Sequence, residues 1–571
     1  MGALFTLYSF FQASVAILFM SFILDKIKPK IINQIFITLC FLLLIAYMIN
    51  FIVTGLLDQS LIFVINILFS GGLHNLFVAF RAINLNLSMY IVLFLILSLL
   101  PAFGIFLYHL TNKFCKKRAL FFKNKHMFSF LIFSILSIFL IDCSCRYKNF
   151  DHISKNQKKL PLGLCFLSNK KKQIYLPKNL KPILDEEKTF AKIDKKNLQI
   201  EKRPNIFIFI TEALRKDYIT HEIAPNLFSF GEKNISFEKA YSASNTTMVS
   251  WYSIFHSNHP IHWTNAKESL THGSLPLNIL KKAGYKINVF SSAELKYFNL
   301  DELIFGKNLS LIDNLNDFST IATTPANRDY MTISALTNSL NDPKNKDSNV
   351  FIVFLDSTHS EYSWRDDFKP KFTPYLETIN YVTMSQSRAN LDLLKNRYKN
   401  AINYIDHLFG TFINNLKMNN LYDDSLIVFA ADHGEEFFDQ GALFHASHLH
   451  ESQLKIPIIY KLNSDKKASN ITTHIDIFPT LLTQIMPNVN FDKYFDGRSI
   501  FNVKKSPYII SVNQRGSFTP NEILITKNQT KLLGKLNPSK NSMSFEIEDS
   551  QNIDTENLEK ELTKALEDVI Q

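Results

Sequence analysis

Cysteine ends at position 165. The five cysteines stand at 40, 115, 143, 145 and 165, so residues 166–571 have no thiol, which excludes a disulfide scaffold and a thiolate metal site from that stretch. Glycine and proline are sparse as well, 16 and 19 in 571 residues, too few for a collagen-like or low-complexity chain. Acids are nearly missing from residues 1–145, where only Asp25, Asp58 and Asp142 occur although the whole chain carries 51. That asymmetry excludes a single soluble globule. What is present is apolar: 46% of the residues are hydrophobic, 51 of them phenylalanine, and 20% are charged, which excludes a disordered chain. The formal charge of +11 does not indicate nucleic acid, because the lysines and arginines gather in short loops between apolar runs and in one connector, where membrane phosphate is the fitting partner.

Residues 3–24 and 31–57 hold no charge, and each exceeds the roughly 20 apolar residues that cross a bilayer. Residues 61–80, interrupted by Ser70-Gly71-Gly72, residues 83–110 with Pro101, and residues 127–145 are further candidates, giving a transmembrane domain of four to five helices over 1–145. Residues 1–24 lack a basic leader region and a small-residue cleavage site, so they are expected as a span. The acid-free loop 113–125 carries Lys113, Lys116, Lys117, Arg118, Lys123 and Lys125 and belongs in the cytoplasm. Everything after the last span then lies outside. Loop 25–30 prefers the same side, a conflict resolved either if the first loop yields or if the glycine-interrupted third segment does not fully cross. Residues 146–202 form a basic connector that either is solvated or rests on anionic headgroups. Residues 541–571 form an acidic tail.

From Arg203 the pattern becomes short apolar runs between polar helical stretches. Residues 205–210, 286–290, 350–355, 426–431 and 456–460 read as strands buried on both faces of a mostly parallel sheet between helices. Thr211-Glu212 follows the first run, Asp356-Ser-Thr-His359 the third and Asp432-His433-Gly-Glu435 the fourth. Ligands of open α/β sheets bind beyond the carboxyl ends of the strands, so these segments are expected to share one crevice. Carboxylates from Glu212 and Asp432 with the imidazole of His433 make an oxygen and nitrogen set for a divalent ion, Zn²⁺ ahead of Mn²⁺. Between the first two runs, Ser242-Ala-Ser-Asn-Thr-Thr-Met-Val-Ser250 precedes a helical stretch. A hydroxyl there is a helix cap or a nucleophile facing helix amides. His448, His450, Glu435 and Glu436 are expected in solvated or capping roles.

Taken together, these segments resemble the alkaline phosphatase and sulfatase superfamily, in its membrane-anchored branch of phosphoethanolamine transferases, lipoteichoic acid synthases and phosphoglycerol transferases. That branch also holds a metal-free lipopolysaccharide regulator. The segment 203–215 resembles the opening strand with its first metal ligand, Glu212, and Ala224-Pro-Asn-Leu227 the element after it. Thr247-Met-Val-Ser250 keeps the spacing of the sulfatase C-x-P-S signature, which selects Thr247 over Thr246 as nucleophile. Ala431-Asp-His-Gly-Glu435 is similar to the SDHGE metal motif, Phe444-His-Ala-Ser447 to a later histidine motif, Thr473-His-Ile-Asp-Ile-Phe-Pro-Thr-Leu-Leu482 to HxDIxPTLL, and Asp496-Gly-Arg-Ser499 to DGRS. Threonine cannot be converted to formylglycine, so the resemblance implies phosphoester chemistry rather than sulfate-ester hydrolysis.

The resemblance further implies a divalent metal held by Glu212, Thr247, Asp432 and His433, and catalytic roles for Thr247, His359 and His445. It implies a phosphotransferase of the bacterial inner membrane, with its soluble domain (203–540) on the outer, periplasmic face. A phospholipid would donate phosphoethanolamine or phosphoglycerol to an envelope glycolipid or glycan. The alternatives are a phosphodiesterase of the same superfamily and a non-catalytic lipopolysaccharide- or lipid-binding regulator.

Overall fold

The computed structural model describes residues 2–70, 87–118, 124–148, scattered positions of 153–200, and 203–548 with short gaps at 270–271, 343–344, 380–383, 385–387, 465–467, 503–507, 515–519, 528–529 and 538–541. The chain divides into two compact units, Met1–Lys171 and Lys172–Gln571.

The first unit is helical: α1 (Gly2–Lys26), α2 (Lys30–Leu57), α3 (Leu61–Ser70), α4 (Leu87–Lys117) and α5 (Asn124–Tyr147). Four helical stretches among the described residues are long and apolar enough to cross a membrane: Gly2–Lys26, Lys30–Leu57, Phe94–Lys117 and Lys125–Tyr147. Pro101 lies inside α4, as lipid-embedded helices allow. The described part of α3 has 10 residues, and the rest of the third apolar segment lies outside the described residues. Asp142, the lone acid of α5, accepts a hydrogen bond from Tyr8 Oη on α1 at 2.9 Å. An acid on an apolar helix is tolerable when it faces such a partner within the bundle.

The second unit is built on a seven-stranded sheet. Its strands are β2 (Ile206–Thr211), β3 (Ile235–Ser236), β5 (Lys286–Ser291), β6 (Asn314–Asp317), β7 (Asn349–Leu355), β8 (Leu426–Ala431) and β11 (Ile458–Lys461), in spatial order β3-β11-β8-β2-β7-β5-β6. The run from β6 to β8 is parallel; β11 is antiparallel to both β8 and β3. Every residue of β2, β7 and β8 is buried, which is why these strands read as continuous apolar runs.

Helices cover the two faces of the sheet. Phe207 and Phe209 meet Phe412 of α8 (Arg388–Met418) at ring-centroid distances of 5.1 and 4.8 Å. Phe354 stacks on Trp251 of α6 (Thr247–His256) at 4.3 Å. The remaining helix of interest, α7 (Pro325–Ser339), is capped by Thr324 and packs on β5.

A second, antiparallel sheet was not visible in the sequence. Its order is β1 (Lys172–Tyr175), β16 (Ser542–Glu548), β15 (Thr530–Asn537), β14 (Glu522–Lys527) and β13 (Tyr508–Asn513). Thus a piece of the basic connector pairs with the start of the segment expected as an acidic tail. The alternation Met543, Phe545, Ile547 within β16 has the period of a strand, a signal that its acidic neighbours obscured. Residues 549–571, the rest of the segment expected as an acidic tail, lie outside the described residues.

Candidate active site

Three neighbouring strands end in register. Thr211 of β2 is level with Leu355 of β7 and with Ala431 of β8, so the next residues, Asp356, Glu212 and Asp432, form a row of acids across three strand ends. Extended chains in a parallel sheet carry equivalent positions side by side, and the topology alone makes this row. Asp432 Oδ1 accepts hydrogen bonds from the amides of Ala213 and His433 at 3.0 and 2.7 Å. His433 follows at the turn into Gly434, where a Cβ would sit 2.2 Å from the carbonyl oxygen of Ser452. Only glycine lets the two loops approach so closely.

Thr247 enters from the other side, as the first residue of α6. Its Oγ1 stands 3.3 Å from both carboxylate oxygens of Glu212 and 3.3 Å from His433 Nε2. The loop before it is clamped by the second sheet: Val512 donates its amide to the carbonyl of Ala243 at 2.9 Å, and Ser244 Oγ donates to the carbonyl of Val512 at 2.9 Å. His474, from the HxDIxPTLL-like segment, is fully buried and bridges the same loop to β8. Its Nδ1 accepts from the Ala243 amide and its Nε2 donates to the Ala431 carbonyl. Burial pushes its pKa down to about 3, and the ring serves as a neutral strut.

The structure therefore brings Glu212, Thr247, Asp432 and His433 to one point. His359 and His445 stand beside it: with Glu212 they offer a second set of ligand atoms within 4.8 Å of one another, and their rings are 5.7 Å apart. His445 lies 4.3 Å from His433, ring to ring.

The electrostatics fit a divalent cation at the first set. Glu212, Asp432 and His433 offer donor atoms within 4.8 Å of one another, and all three are buried. Asp432 Oδ2 is buried and accepts no hydrogen bond from the described residues, with His433 Nε2 3.7 Å away. His433 Nδ1 lies 2.9 Å from the Gly434 carbonyl; a carbonyl can only accept, so this nitrogen carries a proton and Nε2 is the atom left to face the acids and a metal. Burial works against ionising Glu212, but His433 first, then His359 and His445, outweigh it and hold its carboxyl below the ordinary range. Burial and then the facing Glu212 push Asp432 well above its own. Burial opposes charge on His433 too, yet Asp432 and Glu212 raise it to about 10. Two buried carboxylates sharing one imidazole lack positive charge, which a metal ion would supply.

Of the neighbours expected in solvated or capping roles, His450 is a cap, but the two glutamates are not solvated. Glu435 and Glu436 are fully buried; His445 Nδ1 lies 3.1 Å from Glu435 Oε1 and His448 Nδ1 3.0 Å from Glu436 Oε2. Their types gave no signal in the sequence beyond the motif that contains Glu435. His450 caps a short turn by accepting from the Ser452 amide. Asp329, on α7, was missed altogether. It accepts hydrogen bonds from the amides of Asp356 and Ser357 at 2.9 and 2.8 Å and from the Ser292 and Ser357 hydroxyls, and so fixes the loop that carries His359.

Comparison with known proteins agrees with this architecture. Residues 204–489 match the Sulfatase family. The chain is similar to an uncharacterized protein of Haemophilus influenzae, 21% identical over 319 residues; the match spans 55% of this chain and 46% of that one, about half the length of the relative. Among solved structures, it is similar to the lipoteichoic acid synthase LtaP of Listeria monocytogenes (18% identity, TM-score 0.48, 67% of this chain and 96% of that one). It is also similar to a phosphonate monoester hydrolase of Silicibacter pomeroyi (15% identity, TM-score 0.49, 64% and 95%). The family match covers half of the chain and contains every residue of the assembled site, and the chain belongs to the sulfatase family.

Proposed function

We propose that this chain is a membrane-bound, metal-dependent transferase that moves a phospho-headgroup, phosphoethanolamine or phosphoglycerol, from a phospholipid donor to an envelope glycolipid or glycan. The observation that carries the proposal is the Thr247 hydroxyl, 3.3 Å from Glu212 and from His433 at the first turn of a helix. Glu212, Asp432, His433 and Thr247 would hold the ion, for which Zn²⁺ is the best fit to a mixed carboxylate and imidazole set. When bound, it supplies Lewis acidity that makes a threonine hydroxyl ionisable near neutral pH.

Thr247 Oγ1 then attacks the donor phosphorus, the bond from phosphorus to the diacylglycerol oxygen breaks, and the headgroup remains esterified to Thr247. The acceptor oxygen attacks next and releases Thr247. The first-turn amides of α6 face the charge that develops on the phosphoryl oxygens. His359 and His445 border the same space and are placed to hold those oxygens or to protonate the leaving oxygen. The four apolar helical stretches support a donor that never leaves its bilayer, which replaces extraction by proximity. The same reading puts the second unit on the outer face of a bacterial inner membrane.

Intact mass spectrometry of the full chain, incubated with defined phospholipids, tests this. A headgroup-sized adduct that disappears in Thr247→Ala identifies donor and nucleophile together. An adduct that decays to free headgroup at the same rate with and without acceptor would make the protein a diesterase. Metal-loaded protein with no adduct on any donor would sink the transfer reading in favour of a lipid-binding regulator.

A further inference from the structure

We infer that Glu435, backed by Tyr362, is the positioning residue that fixes His445 with its Nε2 turned toward the Thr247 site; the inference rests on the phosphoryl-transfer reading above. Glu435 and Tyr362 are both 0% exposed. A carboxylate that far from water is retained only where its oxygens are partnered, and both are. Oε1 lies 3.1 Å from His445 Nδ1, and Oε2 accepts from Tyr362 Oη at 2.9 Å. The backbone of Glu435 is held too, its carbonyl accepting from Arg215 Nη1 at 3.1 Å. With one oxygen tied to a buried tyrosine, the carboxylate cannot swing, and it sets the ring plane of His445.

The chemistry of the pair fixes the tautomer. Oε2 already accepts from Tyr362 Oη and Oε1 is set against the ring as an acceptor, so Nδ1 of His445 carries a proton and Nε2 is left for the site. That ring lies 4.3 Å from His433 and 5.7 Å from His359. The arrangement is the one by which a buried acid orients a catalytic histidine. The adjacent acid, Glu436, grips His448, three residues further along, so consecutive glutamates take both histidines of His445-Ala-Ser-His448. His448 is not among the residues grouped around Glu212, which makes the second pair an anchor of the loop.

The proton ledger closes over two half-reactions. In the first, the Oγ1–phosphorus bond forms, the Thr247 proton passes to water, and the bond from phosphorus to the diacylglycerol oxygen breaks. The electron pair of that bond stays on the oxygen, which takes a proton that Nε2 has drawn from water, leaving His445 as the neutral Nδ1–H ring held by Glu435. In the second, the acceptor hydroxyl bonds to phosphorus and gives its proton to Nε2, and from there to water, as the bond to Oγ1 breaks, and Thr247 regains a proton from water.

The test uses the full chain in lipid nanodiscs with two donors of one headgroup, a phospholipid and a p-nitrophenyl diester whose leaving group needs no proton. Glu435→Gln keeps the side-chain volume but can present its amide N–H to the ring and favour the other tautomer. The expected result is a fall in kcat of roughly 100-fold on the phospholipid, with KM within about twofold, and a loss of less than about threefold on the nitrophenyl donor. Equal losses on both donors overturn the assignment. Histidine ¹⁵N spectra, with His445→Gln for assignment, read the tautomer without turnover: Nδ1–H in the parent protein supports it, and Nε2–H overturns it. A parent protein inert on both donors sinks the transfer reading, and the spectra still decide the position of His445.

Discussion

At the scale of single residues, the site depends on atoms that have no room to move. A methyl group at Gly434 would collide with the Ser452 carbonyl, a backbone atom that cannot swing aside as a side chain could. Gly434→Ala is expected to cost about 1–3 kcal/mol and to displace His433, read as a lower urea midpoint together with weaker metal retention. Glu436 sets a different dependence. Burial opposes its ionisation, but His448 and the amides of Ala442 and Gln440 outweigh that and lower its pKa from an ordinary 4.5. A depressed carboxyl stabilises the fold above its unfolded pKa, and that contribution is lost as pH falls through its folded value. The unfolding temperature should therefore drop as the pH is taken below 4.5. Glu436→Gln should start lower at neutral pH and show a shallower acid slope in the same melts.

At the scale of elements, Thr247, the proposed nucleophile, is positioned by packing. Helix α6 is seated by Trp251, 2% exposed and stacked on Phe354 of β7, so the helix that starts at Thr247 is referenced to the strand that leads into the His359 loop. Trp251→Ala removes that stack at an expected cost of about 3–5 kcal/mol. Because Thr247 is the first residue of the same helix, the phospho-adduct should also form more slowly in protein that remains folded, a loss visible by intact mass at a temperature well below the melt. The register of β7, β2 and β8 works the same way. A slip of one residue in β8 would turn Asp432 to the opposite face of the sheet, since side chains alternate along a strand.

At the scale of the whole molecule, a metal held by Glu212, Asp432 and His433 would join segments far apart in sequence, and its binding should report on the second unit as a whole. A ligand that binds only the folded state stabilises by mass action, by about 2.7 kcal/mol at a hundredfold excess over Kd. Zn²⁺ titration of chelator-treated protein should raise the melting temperature, and Asp432→Ala should abolish most of that rise. Equal rises in the two proteins would mean that the ion binds elsewhere. The second sheet extends the same logic to the chain ends of this unit. Through Val512 and Ser511, β13 holds residues 242–244, in the loop that leads into Thr247, so loss of the sheet should loosen the Thr247 loop.

The amino-acid sequence by itself determined the apolar helices, the buried parallel strands and the residues that follow them, because hydrophobic runs and strand-end acids are local signals. It also marked Thr247, His359 and His445, through spacing that resembles a family. The pairing of β1 with β16, the strut role of His474, the Asp329 clamp and the burial of Glu435 and Glu436 were decided only by tertiary structure. A charged side chain carries no local mark of whether it meets water or a buried partner. That choice is made when distant strands close over it, and it turned two acids that read as solvated into the groups that hold His445 and His448.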